Sequence, residues 1–151
     1  MRVIGIDPGF ERLGIAIVDN NELLFSDCFK TSSKLPFEER ILLIGKNVAA
    51  VIKKYKPTAL AIETLYFTTN QKTAMRVAET RGVVLYEAIA AGLNIKELTP
   101  LQVKIALTGY GKAEKRQVAE MVKKLLKIRP EIKSDDELDA IAIAMTGSIS
   151  R

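Results

Sequence analysis

Asp7 closes the apolar run RVIGID just ahead of a Pro8-Gly9 turn, and Glu63 closes ALAIE in the same way. Asp136 and Asp139, in KSDDELDAIAIAM, stand three apart, so on a helix their carboxylates share one face. The rest of that face is apolar and suited to packing. A carboxylate there is costly unless it is paired, hydrogen-bonded or bound to a cation. Local roles explain part of the set. Asp7 fits a turn residue that bonds its own backbone, and Ser134 to Glu137 fits a capping box with acids in the first helical turn. Neither role covers Glu63 or Asp139. Converging carboxylates without histidine or thiolate suit hard cations, Mg²⁺ or Mn²⁺. Unneutralised, such acids raise one another's pKa. Two ions about 3.5–4 Å apart activate a water and stabilise the leaving oxygen of a phosphodiester. The chain has no histidine and one cysteine, Cys28. That excludes a histidine general base, a Ser-His-Asp triad, and His-rich or four-cysteine zinc sites.

The elements that must carry these acids follow from periodicity. Residues 2–7, 13–19 and 22–30 read as three strands joined by short turns, an antiparallel meander. A helix follows from Pro36 to about residue 54, with apolar side chains at spacings of three and four. Residues 59–63 form a short apolar strand suited to the middle of a sheet. Helices are expected at about 70–91, 99–107, 113–127 and 134–148, with a fifth strand at 94–98, a loop at 108–112 and a break at Pro130. Strands alternating with helices after a meander imply an α/β fold, a mixed sheet flanked by helices. In such a sheet ligands bind at strand C-termini where the strand order switches. Asp7 and Glu63 face each other there if strands one and four are neighbours.

A chain of 151 residues suits one domain spanning 1–151. Its net charge of +5 favours an acidic partner such as nucleic acid. No apolar run approaches the roughly 20 residues of a membrane span, and no leader pattern is present. The lone cysteine fits a reducing, cytoplasmic location.

Four blocks, GIDPG with LGIAI (5–17), AIETLYFTTNQKTAMRVAETRG (61–82), TPLQVKIALTGYGKAEKRQVAEMV (99–122) and DELDAIAIAM (136–145), together resemble the RuvC family. Its members are bacterial Holliday-junction resolvases of the RNase H-like superfamily. The resemblance implies a five-stranded sheet in the order 3-2-1-4-5, with strand 2 antiparallel. It also implies a homodimer on four-way junction DNA, working with the branch-migration proteins RuvA and RuvB. Paired symmetric nicks would leave 5′-phosphate and 3′-hydroxyl ends. The four catalytic and metal-ligating acids map onto Asp7, Glu63, Asp136 and Asp139, with Mg²⁺ or Mn²⁺ as cofactor, two ions per site. Asp135 is an added acid beside Asp136; the i, i+3 geometry with Asp139 favours Asp136. Lys104 and Lys115 map onto lysines near the scissile phosphate, and Tyr66 or neighbouring Phe67 onto an aromatic that stacks on an unpaired base. Lys112 precedes a helix N-terminus able to hold a DNA phosphate, although GYGKA lacks the spacing and hydroxyl of a P-loop.

Three rivals share parts of this pattern. A RuvC-like family in ribosomal RNA maturation should lack ETLYFTTN and AEKRQV. A non-cleaving junction binder need not keep all four acids. An actin-like ATP-binding fold needs a second lobe.

Overall fold

A computed structural model describes residues 1–65, 70–127, 132 and 134–150. The meander is β1 (Arg2–Asp7), β2 (Arg12–Asp19) and β3 (Glu22–Lys30). It is followed by α1 (Phe37–Tyr55), β4 (Ala59–Glu63), α2 (Gln71–Ala90) and β5 (Asn94–Leu98). The chain ends in α3 (Pro100–Thr108), α4 (Lys115–Leu125) and α5 (Asp135–Ile149). The sheet order is β3-β2-β1-β4-β5. β1 is antiparallel to β2 and parallel to β4, and β4 is parallel to β5. This is the order and strand sense expected.

Two apolar layers sandwich the sheet because its inner strands are apolar on both faces. Ile4, Ile6, Leu13, Ile15, Ile17, Leu60 and Ile62 pack on α1 and α2. The other face carries small residues. Ala16, Ala59 and Ala61 pack there with α5. Gly5 and Gly14 complete this face, and they decide how near α5 comes. A Cβ on Gly5 would lie 2.4 Å from the Ala140 carbonyl oxygen, and one on Gly14 would lie 2.0 Å from that of Asp136. Real Cβ atoms do not approach backbone so closely, so glycine at both positions lets α5 lie directly on the sheet. On its far side α5 is covered by Val103 and Leu107 of α3 and Val122 of α4. Covered on both sides, α5 is apolar nearly all round, buried from Ala140 through Gly147.

The expected helix at 113–127 begins two residues later. Ala113 is buried, and the Glu114 N–H donates to Gln117 Oε1 at 2.7 Å, so Glu114 serves as the N-cap and Lys115 as the first helical residue. The capping box expected at Ser134 is half made. Ser134 Oγ accepts the Glu137 N–H at 3.5 Å, but the Glu137 carboxylate accepts from the Ser26 hydroxyl of β3, at 2.5 Å. That bond ties the start of α5 to the far strand of the sheet. Pro130 lies outside the described residues.

Candidate active site

Strand alternation aims the acids. In β1, Val3, Gly5 and Asp7 share the α5 face, while Ile4 and Ile6 face α1 and α2. In β4 the same period places Ala59, Ala61 and Glu63 on the α5 face. Ile6 pairs with Ile62, so the next residues, Asp7 and Glu63, end adjacent parallel strands side by side. Above them α5 presents its first turn, which holds Asp135 and Asp136, with Asp139 one turn on. Asp136 rests over Gly14, the β2 partner of Asp7. Asp135 is exposed and Asp136 half-buried.

The electrostatics show that these groups feel one another. Burial pushes the Asp7 carboxyl up to about 7, with the charges of Asp139, Asp136 and Glu63 pushing the same way and Lys115 opposing. Glu63 is raised by burial and by Asp139, against Lys115 and Lys104. Asp139 is raised by burial despite its bond to Lys115, with Asp136 and Asp135 adding to the rise. Lys115 is raised in turn, foremost by its hydrogen bond to Asp139.

Lys115 Nζ stands 3.0 Å from Asp139 Oδ2. As the first residue of α4 it places a cation at the positive end of a helix dipole, against the usual preference. The acids beneath compensate for that placement. Lys104, half-buried on α3, shares with Glu63, Lys115 and Asp139 a cleft of about 540 Å³. Across Lys115, a second cleft of about 440 Å³ runs from Asp135 and Asp136 past the Gly9–Arg12 turn to Thr73 and Val77 of α2. The structure thus brings together Asp7, Glu63, Asp136, Asp139, Lys104 and Lys115. Lys112 is exposed, three residues ahead of α4, and lines neither cleft. Tyr66 and Phe67 lie outside the described residues. Residue pattern missed Ser26, because a serine on an edge strand carries no signal of a partner 111 residues away.

The donor chemistry fits a divalent cation: every ligand candidate is a carboxylate oxygen, partly buried, and short of positive charge. As placed, no three acids among the described residues already gather around one ion. The Lys115 ammonium lies against Asp139 instead.

Comparison with known proteins identifies the family. The family model described as "Crossover junction endodeoxyribonuclease RuvC" matches residues 3–147. A protein of that name from Fusobacterium nucleatum is 43% identical over 150 residues, covering 97% of this chain and 79% of its own. The structure of T. thermophilus RuvC in complex with Holliday junction substrate superposes with a TM-score of 0.90 at 36% identity, covering 97% of this chain and 92% of that one. The yeast mitochondrial Holliday junction resolvase Ydc2, 18% identical with a TM-score of 0.68 over 97% of this chain and 77% of its own, shares the fold.

Proposed function

Because the chain belongs to the RuvC family of crossover junction endodeoxyribonucleases, we propose that Asp7, Glu63, Asp136 and Asp139 are its catalytic centre. It is a nuclease, a Holliday-junction resolvase with an RNase H-like α/β fold, and divalent-metal dependence is general to that family. Our reading adds that one domain spans 1–151, that Mg²⁺ is the cofactor with Mn²⁺ able to substitute, and that two ions occupy each site. The observation that carries it is the buried set of mutually repelling carboxylates at the β1 and β4 ends, opposed by Lys115, paired with Asp139, and by Lys104 beside Glu63.

Bound divalent ions would supply an acidified water and charge neutralisation at the leaving oxygen. Asp7 and Glu63 offer oxygens from the rigid sheet, and Asp136 and Asp139 offer them from α5. Lys115 and Lys104 flank the Glu63 cleft, where an ammonium offsets charge on a phosphate in flight. Lys115 leaves Asp139 to do so.

A four-way junction offers two equivalent phosphates, which a two-fold homodimer meets with two equivalent sites. Supporting a dimer, Met75, Tyr86 and Ile89 form one exposed stripe along α2, 61%, 69% and 62% exposed. Gly82 lies on the same stripe with open space where its Cβ would stand. A basic chain, net charge +5, suits a DNA partner. Among the described residues no helix is long and apolar enough to cross a membrane. The reading extends to a cytoplasmic enzyme working with RuvA and RuvB. Incubating the protein with a synthetic four-way junction and with linear duplex, with and without Mg²⁺, tests the function. Symmetric nicks confined to the junction with Mg²⁺ are expected, and their absence would overturn the reading.

A further inference from the structure

The turn that follows Asp7 is held by a network drawn from three elements. Thr31, just past β3, donates its hydroxyl proton to the Phe10 carbonyl at 2.5 Å, and its N–H donates to the Glu11 carbonyl at 3.0 Å. The same hydroxyl oxygen accepts the Arg40 Nε–H at 2.8 Å, and Arg40 Nη2 donates to the Thr31 carbonyl at 3.3 Å. The Arg40 guanidinium also lies 5.1 Å from the centre of the Phe10 ring. Phe10 meets Phe37 edge-on at 5.7 Å, and Arg76 of α2 lies over Phe37 at 3.8 Å.

Arg40 is only 8% exposed, and among the described residues no carboxylate pairs with it. Burying a cation without an anion costs stability. What the arrangement gains is a single path for the chain between β1 and β2. That path begins at Asp7 and forms one wall of the cleft that reaches Asp136 and Lys115. Proline at 8 fixes its own φ but removes one backbone donor. Glycine at 9, whose Cβ would lie 2.3 Å from the Arg12 carbonyl oxygen, leaves no side chain to pack. Anchoring the turn therefore falls to what holds Phe10 and Glu11 from outside. The hydroxyl of Thr31, shared between Arg40 and Phe10, supplies the missing constraint.

We propose that Thr31 is a positioning residue for Asp7, fixing the Pro8-Gly9-Phe10 turn and with it the direction in which the Asp7 carboxylate meets a divalent ion. The inference rests on Asp7 being a ligand, as read above. Thr31→Val keeps the shape and removes both hydrogen bonds, whereas Thr31→Ser keeps the hydroxyl. Three readouts separate the outcomes: Mn²⁺ binding to the DNA-free protein by calorimetry, the Mg²⁺ concentration for half-maximal junction cleavage, and junction affinity in EDTA.

Thr31→Val should weaken Mn²⁺ binding and raise the Mg²⁺ requirement by about five-fold, as when the worth of one of the two lost hydrogen bonds is passed on to the site. Junction affinity and the rate at saturating Mg²⁺ should stay near wild type, and Thr31→Ser should behave as wild type throughout. A Thr31→Val protein with unchanged Mn²⁺ affinity and Mg²⁺ requirement overturns the proposal, as does a Thr31→Ser protein as impaired as Thr31→Val. If Thr31→Val does not fold, Arg40→Lys must show the raised metal requirement, and an unchanged one overturns it equally. A wild-type protein that neither binds Mn²⁺ nor cuts junctions would instead overturn the reading of the site.

Discussion

Asp7→Asn should make the metal-free protein more stable while abolishing its chemistry. Burial and three neighbouring acids hold the Asp7 carboxyl at about 7, against an ordinary value of 3.8. The folded protein therefore holds this proton more tightly than the unfolded chain does. The resulting cost is absent below about pH 4, grows as pH rises towards 7, and is complete above that. At about 1.4 kcal/mol per pH unit, the full cost is about 4 kcal/mol, and only about 2 kcal/mol is felt at pH 5. Asparagine has the same shape and no charge. For a chain of this length, 4 kcal/mol corresponds to a Tm difference on the order of 10 °C. The assay is thermal unfolding by circular dichroism in EDTA, at pH 8 and pH 5. The variant should melt well above wild type at pH 8, and the gap should at least halve at pH 5. Saturating Mg²⁺ at pH 8 should then raise the wild-type Tm and leave the variant's nearly unchanged. An Asp7→Asn protein no more stable than wild type at pH 8 in EDTA would refute the idea that the acids are held together against their own repulsion.

Removing Lys115 with Lys115→Met should slow junction cleavage more than it weakens junction binding, measured by single-turnover rates beside gel-shift titration. The reverse would make Lys115 a plain phosphate contact. Gly14→Ala drives a Cβ to 2.0 Å from the Asp136 carbonyl oxygen, a backbone clash that only movement of α5 relieves. It should cost about 3 kcal/mol in denaturant melts and raise the Mg²⁺ requirement for cleavage. Tyr86→Glu puts a charge on the exposed α2 stripe. It should shift sedimentation from dimer to monomer and remove the pairing of nicks; an unchanged dimer would place the interface elsewhere.

Much of this site is legible in the sequence because strand period and helix period decide it locally. Asp7 and Glu63 stand out as charges ending apolar runs, and the i, i+3 spacing puts Asp136 and Asp139 on one face. The sheet order is less local. It follows from the resemblance of four blocks, since period alone does not say that β4 joins β1. Boundaries failed where a side chain found an unexpected partner. Glutamate is a poor cap by propensity, so the start of α4 at Lys115 is invisible until Gln117 is seen to turn back to the Glu114 N–H. Glu137 reads as the second half of a capping box, yet Ser26 offers it a better hydrogen bond. The network around Thr31 and Arg40 joins the end of β3 to α1 and the turn after β1. Nothing in the spacing of those residues announces it.

The most direct test of the account maps cleavage of an end-labelled four-way junction by wild type, Asp7→Asn and Glu63→Gln, at equal junction occupancy in Mg²⁺. Paired nicks at symmetric positions from the wild type, and none above background from either variant, are predicted. Nicking that persists in both variants would show that the strand-end carboxylates are not the catalytic centre.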